Sequence, residues 1–510
     1  MTGVQTCALP IYEQKVFYSI STGETAGCFQ IESEGMQKLC KRLKPDRFED
    51  LIALIALYRP GPMESGMLED FVSRKRGEKP IKYFFDDYED ILKPILEPTY
   101  GVIVYQEQVM QIVQEVGGFS LGEADIIRRA MGKKDIKYME EKAEEFANGA
   151  EQKGLNKDNA IELFGLIEKF AGYGFNKSHS AAYAVLTYRT AWLKTFYPAE
   201  FLSALLNFEM KDQDKILKYI SEAKRIGIEI APININTSTE YFETDGKTIQ
   251  YALRAIKGVG SGAEPCLLAR EEKPFESFVD FVTRSKLGKK KMNKRVYEAL
   301  AGSGALDSFG ISRKAMIQHS KEILELKSEA FELVKNEVDD FTLAQKIKQE
   351  KSLVGMYVTD PFDPIKGILE PYEIPSLENL PSGKQYILVF PEDIVEKTAK
   401  KSGKKFTILS AYYGGSSINI LAFNSAEQLK KANLARPMIL EVNVKSDGGV
   451  FLNTVIEFKK STLAMFFLKK QTSKEFVIKE GDFAGLLEAF TSGTKKLKIV
   501  SDSEEYTIER

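Results

Sequence analysis

From about Tyr12 to Pro232 the apolar residues recur at three- and four-residue intervals and turn signals are far apart, which predicts a mainly helical region. Ser120 to Glu123 (SLGE) reads as a capping box opening one helix, with Gly132 as its stop. A second helix is predicted from about Asn159 to Ala171, ending at Gly172. A third, apolar one runs from about Ser180 through Trp192 to Phe196, with Pro198 just beyond. The pattern changes between residues 233 and 326. Ile249 to Ala252 suggests a short strand, Ala255 to Gly260 (AIKGVG) a glycine hairpin before a helix, and Met292 to Leu306 a second helix and hairpin (SGAL), again before a helix. Together they predict a weak tandem repeat of helix–hairpin–helix units. Residues 327–345 read as a charged helical connector, and Lys351 to Leu380 as a proline-containing segment.

After residue 385 the period becomes that of strands. Tyr386 to Phe390, Phe406 to Tyr413, Ile418 to Phe423, Pro437 to Val444 and Val450 to Val455 are short and rich in β-branched or aromatic residues, with Gly414-Gly415 as a hairpin signal. A helical piece falls near Ala426 to Ala432. Five strands in so short a span fit a small Greek-key barrel of the OB type. The remaining residues, 461–510, read as a small α+β remnant. The fold class expected is therefore multidomain α+β: a helical domain over 12–232, a tandem helix–hairpin–helix domain over 233–326, a connector over 327–384, and an OB-type barrel over 385–460. Residues 1–11 (MTGVQTCALPI) are read as a non-native or disordered tail.

Composition narrows the picture only a little. The 510 residues are 43% hydrophobic and 28% charged, enough for several globular cores. No run of about 18 apolar residues predicts a membrane span, and no signal-peptide pattern opens the chain. The four cysteines form no CxxC pair and there are two histidines, so a structural zinc site is not expected; this usage suits a cytoplasmic protein. The formal net charge of −2 argues against a uniformly basic binder but leaves room for local patches.

Four such patches stand out. Arg128 to Lys134 (RRAMGKK) puts four cations near a helix end, where Arg128 and Arg129 can bond phosphate oxygens or merely complement the helix dipole. Gly172 to Ser180 (GYGFNKSHS) leads into a helix N-terminus and can aim backbone amides, Asn176, Lys177 and His179 at an anion, or simply cap an interhelical loop. Its spacing is not that of a P-loop. Tyr58 to Pro62 (YRPGP) holds Arg59 in a rigid turn, or only stops a helix. Arg284 to Arg295 (RSKLGKKKMNKR) carries seven cations and no acid beside the Gly258–Gly260 hairpin, either a footprint on a DNA backbone or a solvated basic linker. In the barrel, the five lysines from Lys397 to Lys405 and the pair Tyr412 and Tyr413 are candidates for stacking and holding single strands, against the alternative that the tyrosines pack the core.

These pieces occur together in one order, and there the chain resembles the bacterial C-family replicative DNA polymerases, those of the DNA polymerase III alpha type. The runs that carry the resemblance are Thr25 to Met36 (TAGCFQIESEGM), Ala56 to Pro62 (ALYRPGP), Glu97 to Met110 (EPTYGVIVYQEQVM), Arg128 to Lys134, and Phe170 to Ala184 (FAGYGFNKSHSAAYA). It is close over about Tyr12 to Ala305 and looser through the barrel.

The resemblance implies DNA-templated DNA synthesis. It implies that the fingers hold the incoming dNTP through Arg128, Arg129, Lys133, Asn176, Lys177 and His179, with Arg59 and Gln106 as neighbours. It implies that the hairpin domain grips template-primer DNA through Lys257, Gly258, Gly260, Arg284, Lys286, Lys289, Lys290, Lys291, Lys294 and Arg295, and that the barrel lies near the single-stranded template. In this family two Mg2+ ions sit on three palm aspartates upstream of the fingers. This sequence begins after them and after the PHP domain, so the Mg2+ ligands are expected outside it and the chain alone is expected to be inactive. Asp360, Asp363 and the Asp339-Asp340 pair lie in the connector, not in such a motif. The replicase partners implied are the sliding clamp and the clamp-loader tau subunit, although no clean clamp-binding pentapeptide of the Gln-x-x-Leu/Met-Phe kind appears. The alternative is a non-catalytic DNA-binding or scaffold protein derived from a polymerase.

Overall fold

The computed structural model describes residues 12–133, 136–171, 174–287, 290–337, 339–362, 365–369, 380–399, 403–413, 416–423, 425–432, 436–445, 448–456 and 458, with three later strands. The tail over 1–11 and the Gly414-Gly415 hairpin signal fall outside these residues. The chain divides into two compact units, residues 1–205 and 206–510.

The first unit is helical, as the 3.6-residue period predicts. Its elements are α1 (Gln14–Ser21), α2 (Glu34–Leu43), α3 (Phe48–Leu57), α4 (Pro60–Glu64), α5 (Met67–Lys75), α6 (Glu89–Leu96), α7 (Gln106–Gly117), α8 (Leu121–Lys133), α9 (Ile136–Gln152), α10 (Lys157–Ala171), α11 (Lys177–Phe196) and the start of α12 (Pro198–Phe208). Helix α3 is apolar almost all round, so it is the buried centre of one core, packed by Val16, Leu39, Phe71 and Tyr188 from the surrounding helices. A second core joins α6 to α10 through Leu92, Ile112, Ile127, Phe146 and Phe164. The capping box at α8 forms: the Ser120 amide donates to Glu123 at 2.8 Å and the Glu123 amide to Ser120 Oγ at 3.4 Å. Helix α8 continues through Gly132 to Lys133, one residue beyond its predicted stop. Helix α11 begins three residues before the predicted Ser180, because Asn176 supplies the cap by accepting the His179 amide at 2.9 Å.

In the second unit, α13 (Gln213–Arg225) leads into a small sheet of β1 (Glu229–Ile230), β2 (Glu243–Thr244) and β3 (Thr248–Gln250), ordered β1-β3-β2. Then come α14 (Glu264–Glu272), α15 (Phe278–Leu287), α16 (Lys294–Ser303), α17 (Arg313–Gln318), α18 (Ser320–Leu324), α19 (Ser328–Asn336), α20 (Leu343–Val354) and α21 (Lys366–Leu369). The connector expected over 327–345 is thus two helices with a break, the second opened by a capping box at Thr342 and Gln345. Next are β4 (Gly383–Thr398), β5 (Lys405–Tyr413), β6 (Ser416–Ala422), α22 (Ala426–Lys431), β7 (Met438–Val444) and β8 (Val450–Ile456). They close a five-stranded barrel in the order β4-β5-β6-β8-β7, antiparallel except where β6 runs parallel to β8. With a helix between its third and fourth strands, this is the OB arrangement the strand pattern predicts. Alternating residues such as Ile387, Leu409, Ile420, Leu440 and Leu452 fill its interior. Beyond it, β9 (Phe476–Lys479), β10 (Lys496–Val500) and β11 (Glu505–Glu509) form a separate three-stranded sheet.

Candidate functional site

In the first unit, two helix N-termini meet at one place. The segment before α7 and the segment before α11 are joined by backbone: the Gln106 amide donates to the Phe175 carbonyl at 3.0 Å and the Phe175 amide to the Val104 carbonyl at 3.1 Å. Gln108 holds the first segment from below. Its amide oxygen accepts from the Val104 and Tyr105 amides at 2.8 and 3.0 Å, and its amide nitrogen donates to Thr99 Oγ1 at 2.7 Å. All of this side chain's hydrogen-bonding needs are met inside the protein, so it fixes the loop's path.

Around this junction gather most of the predicted nucleotide contacts. Gln106 Nε2 donates to the Gly174 carbonyl at 3.1 Å, and Arg128 Nη1 donates to Gln106 Oε1 at 3.1 Å. The Arg59 guanidinium lies 4.3 Å from the centre of the Phe175 ring; burial lowers its pKa from the ordinary arginine value. Pro60 begins α4 and Arg59 is its extended N-cap, so the rigid turn read from YRPGP is present. His179 packs edge-on against Phe175 at 5.3 Å and lies tilted against Tyr183 at 4.5 Å. Lys177 sends its ammonium over the Tyr105 ring at 5.5 Å. Asn176, Lys177 and His179 are exposed on the same turn. The Lys133 side chain lies outside the described residues.

The cations are not idle. Asp125 accepts from Arg128 and pairs with Arg129, both at 2.7 Å, and the Arg128 hydrogen bond holds its carboxyl below the usual aspartate range. Glu107 receives the Lys177 amide on both carboxylate oxygens at 3.0 Å, so an internal carboxylate sits where a helix N-terminus would attract an anion. Sequence reading did not single out Asp125, Glu107 or Phe175. The i, i+3 and i, i+4 spacing of Asp125 to Arg128 and Arg129 is a legible signal. Glu107 has none, since its partner is 70 residues away. Beneath the junction, fully buried Asp50 accepts from Lys75 at 2.7 Å, Arg47 at 3.3 Å and the Tyr100 hydroxyl at 2.9 Å. Burial and Asp50 push the Tyr100 hydroxyl up to about 12.

In the second unit, the two predicted hairpins differ. At the first, Gly258 and Gly260 have φ of +97° and +51°, and a Cβ on Gly260 would meet nothing within 4 Å. Lys257 is exposed beside it, with its amide pinned to the Leu353 carbonyl at 2.7 Å, and the Arg295 side chain runs past Gly258. At the second, Gly304 faces the Arg313 guanidinium, which is buried between Asp307 at 2.5 Å and Glu350 at 2.8 Å. That hairpin's approach is filled by its own domain.

The predicted basic run also divides. Arg284 turns inward: it pairs with Asp280 at 3.1 Å, donates to the carbonyls of Lys273 and Ala269, and lies 4.9 Å from the Phe275 ring. It is a brace within its domain, not a surface cation. Lys286 is partly buried and reaches the Met292 carbonyl at 3.4 Å. Lys290 pairs with Glu264 and Lys294 with Glu298 at 3.5 Å, while Lys291, Lys294 and Arg295 are exposed. Lys289 lies outside the described residues. In the barrel the tyrosine expectation fails: Tyr413 is fully buried, and Tyr412 is buried against Tyr357 and Phe362. Register explains it, since odd positions of β5 face the interior and Tyr412 is covered by the connector. Among the described residues no group of three or more His, Cys, Asp or Glu side chains is placed to hold a metal ion. None of their helices is long and apolar enough to cross a membrane.

Residues 2–154 match the finger domain of the bacterial DNA polymerase III alpha subunit, and residues 227–316 match a helix–hairpin–helix motif. The chain is 48% identical over 377 residues to the DNA polymerase III subunit alpha of Campylobacter jejuni, covering 69% of this chain and 31% of that protein. It is 39% identical over 485 residues to that of Helicobacter pylori strain 26695, covering 87% and 39%. The Escherichia coli K12 subunit is 47% identical over 314 residues, covering 61% and 27%. The chain belongs to the bacterial C-family of DNA polymerases, as a partial chain of the alpha subunit type that spans about a third of the length of these relatives.

Proposed function

We propose that this chain contributes to a DNA-directed DNA polymerase of chromosomal replication, in which the helical unit binds the incoming dNTP and the hairpin domain holds template-primer DNA. What supports the reading is the convergence of Arg59, Gln106, Arg128, Asn176, Lys177 and His179 on the Gly174–Phe175 turn. Guanidinium, ammonium and helix-end amides are the donors a triphosphate needs. Arg129 follows Arg128 on the same helix, and Lys133 is its last residue. For the dNTP to reach the α11 amides, the Glu107 carboxylate must withdraw, so binding and local rearrangement are coupled. The Mg2+ ions of the reaction require paired carboxylates. The described residues do not supply a group that fits them. The sliding clamp and the clamp-loader tau subunit belong to this reading as partners.

The test is dNTP binding by the full chain, measured by equilibrium titration, with Lys177→Ala beside it. Weaker binding by the variant supports the proposal; no effect of the substitution on dNTP binding removes it. With Mg2+, primed template and dNTPs, the chain alone should extend no primer. Extension above background would overturn the expectation that its metal ligands lie elsewhere. A second reading, a non-catalytic DNA-binding or scaffold protein, draws on the internal pairing of the cluster's cations with Asp125 and of its amide with Glu107. It predicts undiminished DNA affinity and no dNTP binding at all.

A further inference from the structure

One face of α11 carries a row of side chains that joins the candidate nucleotide site to the loop between α1 and α2. His179, Tyr183, Thr190 and Lys194 follow one another at helical spacing, which keeps them on one side of the helix. At the far end, buried Lys194 donates its ammonium to the Glu24 and Ala26 carbonyls at 2.7 and 2.9 Å. A turn earlier, Thr190 Oγ1 accepts the Phe29 amide at 3.0 Å. The loop is also closed on itself: the Thr25 hydroxyl donates to the Ile31 carbonyl, and the Gly27 amide to the Glu32 carboxylate at 3.1 Å. A buried ammonium is costly without such acceptors, so these bonds fix the loop on the helix. Held in this way, the loop presents the Phe29 ring to Tyr183 at 5.4 Å between centroids. Tyr183 meets His179 at 4.5 Å, His179 meets Phe175 at 5.3 Å, and the Arg59 guanidinium lies 4.3 Å from the Phe175 centre. Phe29, Tyr183 and Phe175 are half-buried and His179 is exposed. The row thus runs from a pinned loop to the surface at Asn176 and Lys177. Packing of α11 onto the core is supplied by other side chains, Ala184, Tyr188 and Ala191.

We propose that Tyr183 is a positioning residue of the nucleotide site. It sets the place of the His179 imidazole on the first turn of α11, and Phe29, pinned through Thr190 and the loop that Lys194 holds, backs it from behind. The inference rests on the reading of this site as one that takes a dNTP, and names what orders it. An exposed imidazole at a helix N-terminus samples several rotamers, and fixing it at the moment of binding lowers affinity. Ring contacts made before the ligand arrives meet that cost in advance. The contact is ring to ring, so it depends on the flat face of Tyr183 and not on its hydroxyl. Neither Phe29 nor Tyr183 has to touch the nucleotide to act in this way.

The experiment uses the full chain, with dNTP titration and NMR of the histidine ring protons side by side. The chain has two histidines, His179 and His319, so the signal lost in His179→Ala is that of His179. Tyr183→Leu keeps apolar bulk and removes the flat ring. It should shift the His179 signal, leave that of His319 in place, and weaken dNTP binding by roughly three- to tenfold. Tyr183→Phe should restore both readouts. Phe29→Leu should act in the same direction and less strongly, and it carries the test if Tyr183→Leu does not fold. Made in a His179→Ala chain, Tyr183→Leu should cost no further affinity, because the two residues act as one unit. An unchanged His179 signal with unchanged dNTP affinity in Tyr183→Leu would overturn the positioning role. So would an equal loss of affinity with and without His179. A chain that binds no dNTP before any substitution would remove the wider reading and this role with it, so the two failures are distinguishable.

Discussion

At the scale of single residues, the candidate nucleotide site is one whose charges are already answered. Arg128 and Arg129 share Asp125, and the first amide of α11 is taken by Glu107. An incoming triphosphate therefore competes with two carboxylates rather than entering an empty cationic cradle. Glu107→Gln should tighten dNTP binding severalfold, since the amide oxygen still accepts one bond from Lys177 N but no longer repels phosphate. A dNTP titration checks this, and weaker binding would show that Glu107 positions the turn instead of screening it. Asp50 belongs to the same scale but to stability. Three side-chain donors and the Asp46 amide converge on it in a fully buried setting, so Asp50→Asn leaves Lys75 and Arg47 without their full counter-charge. Breaking a buried pair in this way costs about 3–5 kcal/mol, readable as a lower urea midpoint.

At the scale of elements, the two hairpins share a sequence signature and differ in role. Gly304 has φ of +87° and sits against Arg313, so Gly304→Ala meets both a left-handed backbone and a side chain with nowhere to go. It should lower stability by more than about 1 kcal/mol without altering the exposed face of the first hairpin. Arg313→Met should go further, by about 3–5 kcal/mol, because Glu350 would remain buried after losing its cation. Thermal unfolding with duplex binding measured in parallel separates the cases: both variants melt earlier, and duplex affinity at low temperature holds. The glycine signature was legible at both hairpins, but Arg313's burial was not, since Glu350 lies 37 residues downstream in another helix. The same distinction runs through the fold. Helices α8, α10 and α11 and the barrel strands were readable because apolar period and caps are local. The inward turn of Arg284 and the burial of Tyr412 were not, because each depends on register or on a neighbour distant in sequence.

At the scale of the whole molecule, the near-neutral charge of −2 hides an uneven distribution that matters for DNA. Lys257, Lys291, Lys294 and Arg295 are exposed in the hairpin domain, Lys294 with only a long contact to Glu298 at 3.5 Å, while Arg284 and Lys290 are engaged more closely with acids of their own domain. If those four cations replace counterions on duplex phosphates, the logarithm of the binding constant should fall against the logarithm of salt with a slope of about −4. Over a fourfold rise in salt that amounts to a loss of affinity on the order of a hundredfold. Lys291→Ala and Arg295→Ala should each flatten the slope by about one, and Arg284→Ala should not, because it lowers stability without touching a phosphate. Duplex titrations of the full chain at several salt concentrations decide the matter. An Arg284→Ala slope that changes as much as the Arg295→Ala slope would mean that the inward brace opens on DNA, and that the basic run acts as the undivided footprint its sequence suggests.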